Sequence, residues 1–123
     1  TTKGVLVKVL AHVGDVDFAV QPELVSLLSS RNFGRYADEK GEMKVCFISN
    51  NDITGGNSGS AMFNSKGELL GLAFDGNWEA MSSDILYEPK MQRTIGVDVR
   101  YILFMIEKYG KAGNLIKELN IIN

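Results

Sequence analysis

Asn50-Asn51-Asp52-Ile53-Thr54-Gly55-Gly56-Asn57-Ser58-Gly59-Ser60 leads directly into Ala61-Met62-Phe63, Asn64-Ser65-Lys66-Gly67 and, after Glu68, Leu69-Leu70-Gly71-Leu72-Ala73-Phe74. The first eleven residues hold three glycines, three asparagines and almost nothing apolar, so they predict a loop whose backbone takes unusual conformations. The two short apolar runs after it flank a polar turn with glycine where a left-handed residue is wanted, which predicts a β-hairpin. Upstream, Met43 to Ser49 contains Val45, Phe47 and Ile48 and reads as a buried strand, with Cys46 inside it. Downstream, Arg93 to Val97 has strand composition, and Asp98 is placed to cap a helix.

The remaining segments add helices. Val99 to Lys108 sets Ile102, Leu103, Met105 and Ile106 on one helical face that Gly110 ends, and Leu115, Ile116 and Leu119 predict a second short helix. Pro22 stands where a helix can begin, and Leu24, Val25, Leu27 and Leu28 recur at helical spacing until Asn32 to Gly34. Lys3 to Val9, with β-branched residues alternating with lysines, predicts a leading strand, and Asn77 to Pro89 reads as irregular. Short strands, glycine turns and terminal helices together predict a mainly β fold with helices, an antiparallel β-barrel with appended helices rather than a parallel α/β sheet. Three segments follow: a leading strand and helix over 1–32, a barrel with the loop over 33–98, and C-terminal helices over 99–123.

At 123 residues and 45% hydrophobic content the chain is one globular domain's worth. A net charge of -2 offers no basic field for nucleic acid, and no run of about 18 apolar residues is present to span a bilayer. The single cysteine excludes an internal disulfide and a multi-cysteine metal site. Asp15, Asp17 and the scattered carboxylates lack metal-ligand spacing, so no cofactor is expected. Thr1 is not an initiator methionine and no signal peptide follows it, so the chain is expected to be a piece of a longer protein.

Chemistry concentrates at Ser58. Acyl transfer needs a hydroxyl held in the open, with backbone N–H groups curled around the carbonyl oxygen on which negative charge develops. Gly56 and Gly59 remove side chains on either side, so the N–H groups of Gly56 and Ser58 can point into one oxyanion hole. The bare Gly-x-Ser-Gly pattern also fits glycine-rich turns and phosphate-binding loops.

The context of the motif is more specific. Gly56-Asn57-Ser58-Gly59-Ser60 between two strands resembles the nucleophile loop of chymotrypsin-fold peptidases, usually Gly-Asp-Ser-Gly-Gly. Asparagine at 57 argues against zymogen activation by pairing with a newly cut N-terminus. The longer strings Asp52 to Ser60, Gly71-Leu72-Ala73-Phe74-Asp75-Gly76-Asn77-Trp78-Glu79-Ala80 and Gln92-Arg93-Thr94-Ile95, with Phe33-Gly34-Arg35-Tyr36 and Asp98-Val99-Arg100-Tyr101, resemble the S46 family of dipeptidyl-peptidases. The resemblance runs from about Phe33 to the C-terminus. It implies the second barrel of a chymotrypsin-like double barrel, in a bacterial exopeptidase of the periplasm or cell surface that removes dipeptides from peptide N-termini.

Residue by residue, the resemblance makes Ser58 the nucleophile and gives Asp75 the substrate's α-ammonium group. It makes Gly76 the position where members differ in their preference before the scissile bond. Arginine there goes with acidic substrates, and glycine favours hydrophobic ones, because no cation compensates a buried substrate carboxylate. The catalytic histidine and aspartate are expected in polypeptide N-terminal to this chain, and the chain alone is expected to be inactive. His12 matches no family motif and reads as a structural residue; Trp78 is expected to pack on the barrel and Cys46 to be buried. Peptide substrates and the N-terminal remainder of the same polypeptide are the expected partners, with a homodimer only by analogy. Two other functions fit the residues: an inactive peptidase-like barrel that binds peptides, and a plain structural barrel.

Overall fold

In the computed structural model, which describes residues 1–82, 88 and 90–122, four strands form one antiparallel sheet among the described residues. They are β1 (Cys46–Ser49), β2 (Ala61–Phe63), β3 (Leu69–Gly76) and β4 (Thr94–Asp98), in the order β1-β4-β3-β2. The β2–β3 hairpin turns where the sequence predicts. Asn64 Oδ1 accepts the N–H of Lys66 at 2.9 Å and of Glu68 at 3.0 Å, and Gly67 takes a φ of +79° that a side chain would resist. Cross-strand partners Cys46, Val97, Leu72 and Ala61 share one face of the sheet, and Ile48 and Ile95 continue it.

The opposite face is built on close approach. A Cβ at Gly71 would strike the Val97 carbonyl oxygen, and one at Gly96 would lie 2.7 Å from Phe47 Cζ and 2.8 Å from Met62 Sδ. The Phe47 and Met62 side chains therefore lie directly over bare backbone. The first face is less covered: Ile48 is 68% exposed, and Cys46, expected to be buried, is exposed beside it. Among the described residues the sheet is open, with β1 and β2 as its edges.

The sheet belongs to a compact unit of Val45–Ile102, and a second unit comprises Thr1–Lys44, Leu103–Asn123. Phe33–Lys44, expected within the barrel segment, falls in this second, helical unit. Its helices include α1 (Thr2–Ala11) and α2 (Pro22–Ser29), the latter opening on Pro22 as predicted. The strand expected over Lys3 to Val9 is instead α1. Thr2, Val5, Leu6 and Val9, spaced three and four apart, are its covered or partly covered residues, while Val7 and Leu10 are exposed. A helical period thus wins over the alternation of lysines and valines.

α3 (Val99–Phe104) follows β4 at once, capped by Asp98, whose Oδ1 accepts the Arg100 N–H at 2.9 Å. It widens into a π-helical turn over Met105–Tyr109 that Gly110 closes, and α4 (Gly113–Ile116) follows. In the helical unit Phe104 is fully buried, with the rings of Phe33 and Tyr36 edge-on to it at 5.8 and 6.2 Å. The Tyr36 hydroxyl donates to Glu107 Oε2 at 2.6 Å. Burial, and then this carboxylate, raise the phenol pKa, while the same bond leads the causes that lower that of Glu107.

Candidate active site

The polar loop predicted around Ser58 is held at several points within the sheet unit. Thr94 Oγ1 donates to the Asn51 carbonyl at 2.6 Å and fixes the loop's start to β4. Asn57 then closes a tight turn: its Oδ1 accepts the Thr54 N–H at 2.8 Å, its own N–H donates to the Thr54 carbonyl at 3.2 Å, and its carbonyl accepts from Ser60 at 3.0 Å. Asparagine at 57 therefore braces the loop from within, a role legible only as a short polar side chain among glycines. Gly56 and Gly59 bracket Ser58 with φ of +94° and +85°, values that explain why both are glycine.

Beyond Ser58 the chain rejoins the sheet. Gly59 N–H donates to the Ala73 carbonyl and Ala73 N–H to the Ser60 carbonyl, each at 2.8 Å. The register of β3 against β4 shifts between Ala73 and Asp75, a bulge that leaves Phe74 unpaired. The exposed Ser58 hydroxyl donates to the carbonyl of this Phe74 at 3.2 Å. Ser58 is thereby tethered to the residue that immediately precedes Asp75 and Gly76, so three of the residues singled out in the sequence converge on one strand end. The N–H groups of Gly56 and Ser58 find no protein acceptor among the described residues, whereas those of Asn57, Gly59 and Ser60 are all used.

Asp75 is exposed, and its Oδ1 accepts the N–H of Gly76 at 2.8 Å. Gly76 pairs with Thr94, and the space its side chain would enter is taken by the methyl of Ala80, 2.7 Å from a Cβ built there. Ala80 sits in a 3₁₀ turn, Trp78–Ser82, inside the stretch expected to be irregular; residues 83–87 and 89 of that stretch lie outside the described residues. Trp78, expected to pack on the barrel, is 79% exposed, because the residue this turn directs at β3 is Ala80. Nothing in the sequence marks Ala80.

His12 belongs to the helical unit. Its Nδ1 bonds to the Lys8 carbonyl at 2.8 Å and its ring stacks on Phe18 with centroids 4.2 Å apart, a structural setting at the end of α1. A cavity of about 460 Å³ in that unit is lined by residues including Arg35, Glu107 and Lys117, none of them singled out as catalytic. No described helix is long and apolar enough to cross a membrane.

The family model described as Peptidase S46 matches residues 1–121. The chain is 63% identical over 106 residues to dipeptidyl-peptidase 7 of Porphyromonas endodontalis, covering 86% of this chain and 13% of that protein. It is 47% identical over 122 residues to the Asp/Glu-specific dipeptidyl-peptidase of Capnocytophaga gingivalis, covering 99% of this chain and 17% of the relative. The crystal structure of Porphyromonas endodontalis DPP11 with the dipeptide Arg-Glu superposes with a TM-score of 0.88 at 43% identity, over 94% of this chain and 16% of that one. The chain thus spans less than a fifth of the length of these relatives. It belongs to the Peptidase S46 family.

Proposed function

We propose that this chain is the C-terminal part of a serine dipeptidyl-peptidase, carrying its nucleophile, part of its oxyanion hole and its clamp for the substrate's amino terminus. The observation that carries the reading is the bond from the Ser58 hydroxyl to the Phe74 carbonyl, which sets the nucleophile beside Asp75 and Gly76. Ser58 Oγ attacks the carbonyl carbon of the second peptide bond as a general base takes its proton. The oxygen of that carbonyl gains charge against the N–H groups of Gly56 and Ser58, the C–N bond breaks as the proton passes to the departing amine, and water activated by the same base then cleaves the ester on Ser58 to free the dipeptide. Asp75 counts the two residues by pairing with the free α-ammonium group through a charge-assisted hydrogen bond.

The base and its orienting carboxylate come from polypeptide outside this chain, since more than four-fifths of the relatives' length lies there. That polypeptide also covers the apolar sheet face of Ile48, Ile95, Val97 and Leu72 and closes the open sheet into the second barrel of a chymotrypsin-like pair. Location in the periplasm or at the cell surface of a Gram-negative bacterium follows from the family resemblance alone. The uncharged Gly76 supports a preference for a hydrophobic residue before the scissile bond, as opposed to the acidic one named for the Asp/Glu-specific relatives.

The test is Ser58→Ala in the full-length parent. Dipeptide release should fall at least a thousandfold with the fold intact, since the nucleophile is lost and a small loop side chain contributes little packing. Normal turnover by that variant refutes the reading and leaves a peptide-binding barrel. The isolated chain should hydrolyse dipeptide substrates no more than in traces.

A further inference from the structure

The 3₁₀ turn Trp78–Ser82 is pinned far more firmly than an exposed connection requires. Asn77 makes a ring of hydrogen bonds to the approach of β4: its N–H donates to the Arg93 carbonyl at 2.9 Å, and its Oδ1 accepts the Arg93 N–H at 2.8 Å. Its Nδ2 donates to the Met91 carbonyl at 2.9 Å and to Glu79 Oε2 at 2.7 Å. Gln92, only 2% exposed, adds a bond from Nε2 to the Glu79 carbonyl at 3.2 Å, and Ala80 N–H closes on the Asn77 carbonyl at 2.9 Å. Ala80 is thus carried on a rigid mount whose other end is the residue after Gly76.

The mount holds the Ala80 methyl 2.7 Å from where a Cβ at 76 would stand, closer than two carbons approach, and a methyl on backbone has no rotamer by which to withdraw. We infer that the specificity position is a pair, Gly76 with Ala80, and that no side chain, charged or apolar, can serve at 76 unless the methyl at 80 is removed. Glycine at 76 and alanine at 80 together make a smooth, uncharged wall suited to an aliphatic or aromatic substrate side chain; arginine at 76 needs glycine at 80 to reach an acidic one. This rests on the reading of Gly76 as pocket wall, and Asn77 is the positioning residue that makes the two positions interdependent.

The experiment uses the full-length parent with Gly76→Arg, Ala80→Gly and the double variant, assayed on chromogenic dipeptides ending in leucine and in aspartate, with thermal midpoints recorded. The single Gly76→Arg should lose thermal stability and change the aspartate-to-leucine ratio of kcat/KM less than about threefold. The double should recover the midpoint and raise that ratio about tenfold or more, the order expected of a guanidinium meeting a carboxylate. Ala80→Gly alone should keep leucine ahead of aspartate. Gly76→Ala, alone and with Ala80→Gly, tests the contact without the bulk of arginine: the single should lower the midpoint and the second change restore it. If Gly76→Arg alone gives the full shift at an unchanged midpoint, or Gly76→Ala costs no stability, the pairing is overturned while the pocket reading stands. If the midpoints recover in the doubles but the ratio never moves, position 76 does not meet the substrate, and the pocket reading falls with the proposal.

Discussion

The helical unit and the sheet unit solve the problem of cohesion in opposite ways. In the first, large side chains vanish from solvent: Phe104, Leu28 and Met43 are fully buried, and three aromatic rings meet edge to face. In the second, the backbone itself is the packing surface, with Gly71 and Gly96 pressed under Phe47 and Met62, and much of the apolar side-chain area, Ile48 and Phe74 included, faces outward. Bulk burial is tolerant of chemistry but contributes none. In the sheet unit a hydrogen bond from the Ser58 hydroxyl to the Phe74 carbonyl ties the Ser58 loop to the strand end that carries Asp75 and Gly76. The contrast predicts that stability and the proposed catalysis are separable by mutation.

The largest effect tests that separation from the helical side. Phe104→Ala should cost roughly 3–5 kcal/mol, the usual loss for deleting a buried ring. It should speed hydrogen exchange of amides in Leu103–Asn123 of the full-length parent while kcat on the folded enzyme stays within about twofold. A proportional collapse of kcat at temperatures where the protein stays folded would break the contrast. From the sheet side, Asp75→Ala should lower kcat/KM for free-amine substrates by about 2–4 kcal/mol, the scale of a lost desolvated charge pair, and leave stability within roughly 0.5 kcal/mol because the carboxylate is exposed. An unchanged preference for free over acetylated N-termini removes Asp75 from the clamp.

The smallest effect sharpens the comparison through pH. Tyr36→Phe removes one hydrogen bond to Glu107 and should cost about 1 kcal/mol at neutral pH. That bond leads the causes that hold the Glu107 carboxyl below its ordinary value, so its stabilisation is complete above the unfolded pKa of about 4.3 and lost as pH falls through the lower folded value. Variant and parent should converge in acid unfolding curves. A gap that widens toward acid contradicts the assignment of the bond.

Much of the sheet unit was legible in the sequence because its signals are local. Asn64 to Gly67 specifies its own turn, the loop's glycines announce positive φ at 56 and 59, and Asp98 caps the helix beginning one residue later. α1 was not legible: Lys3 to Val9 fits both a period of two and the spacing of Val5, Leu6 and Val9, and only partners distant in sequence select the helix. The same limit hid the long-range features. Tyr36 and Glu107 stand 71 positions apart, and the contact of Ala80 with Gly76 depends on Asn77 finding Arg93, sixteen positions on. The sequence exposed the candidate nucleophile because glycines must surround it, and hid the opposing alanine because an alanine announces nothing.

The bare-backbone column under Phe47 and Met62 also governs how this molecule can evolve. A side chain at 71 meets the Val97 backbone carbonyl, which cannot withdraw, whereas one at 96 meets the outer ends of the Phe47 and Met62 side chains, which must repack, so 71 is the position more firmly closed to single-step drift. Variation in the sheet must flow around them, through the outward-facing residues and the strand's far end. If 76 and 80 form the proposed pair, a lineage moving from apolar to acidic peptides would leave the column untouched and record the change at those two positions, in an order that the crowding dictates: the alanine goes first.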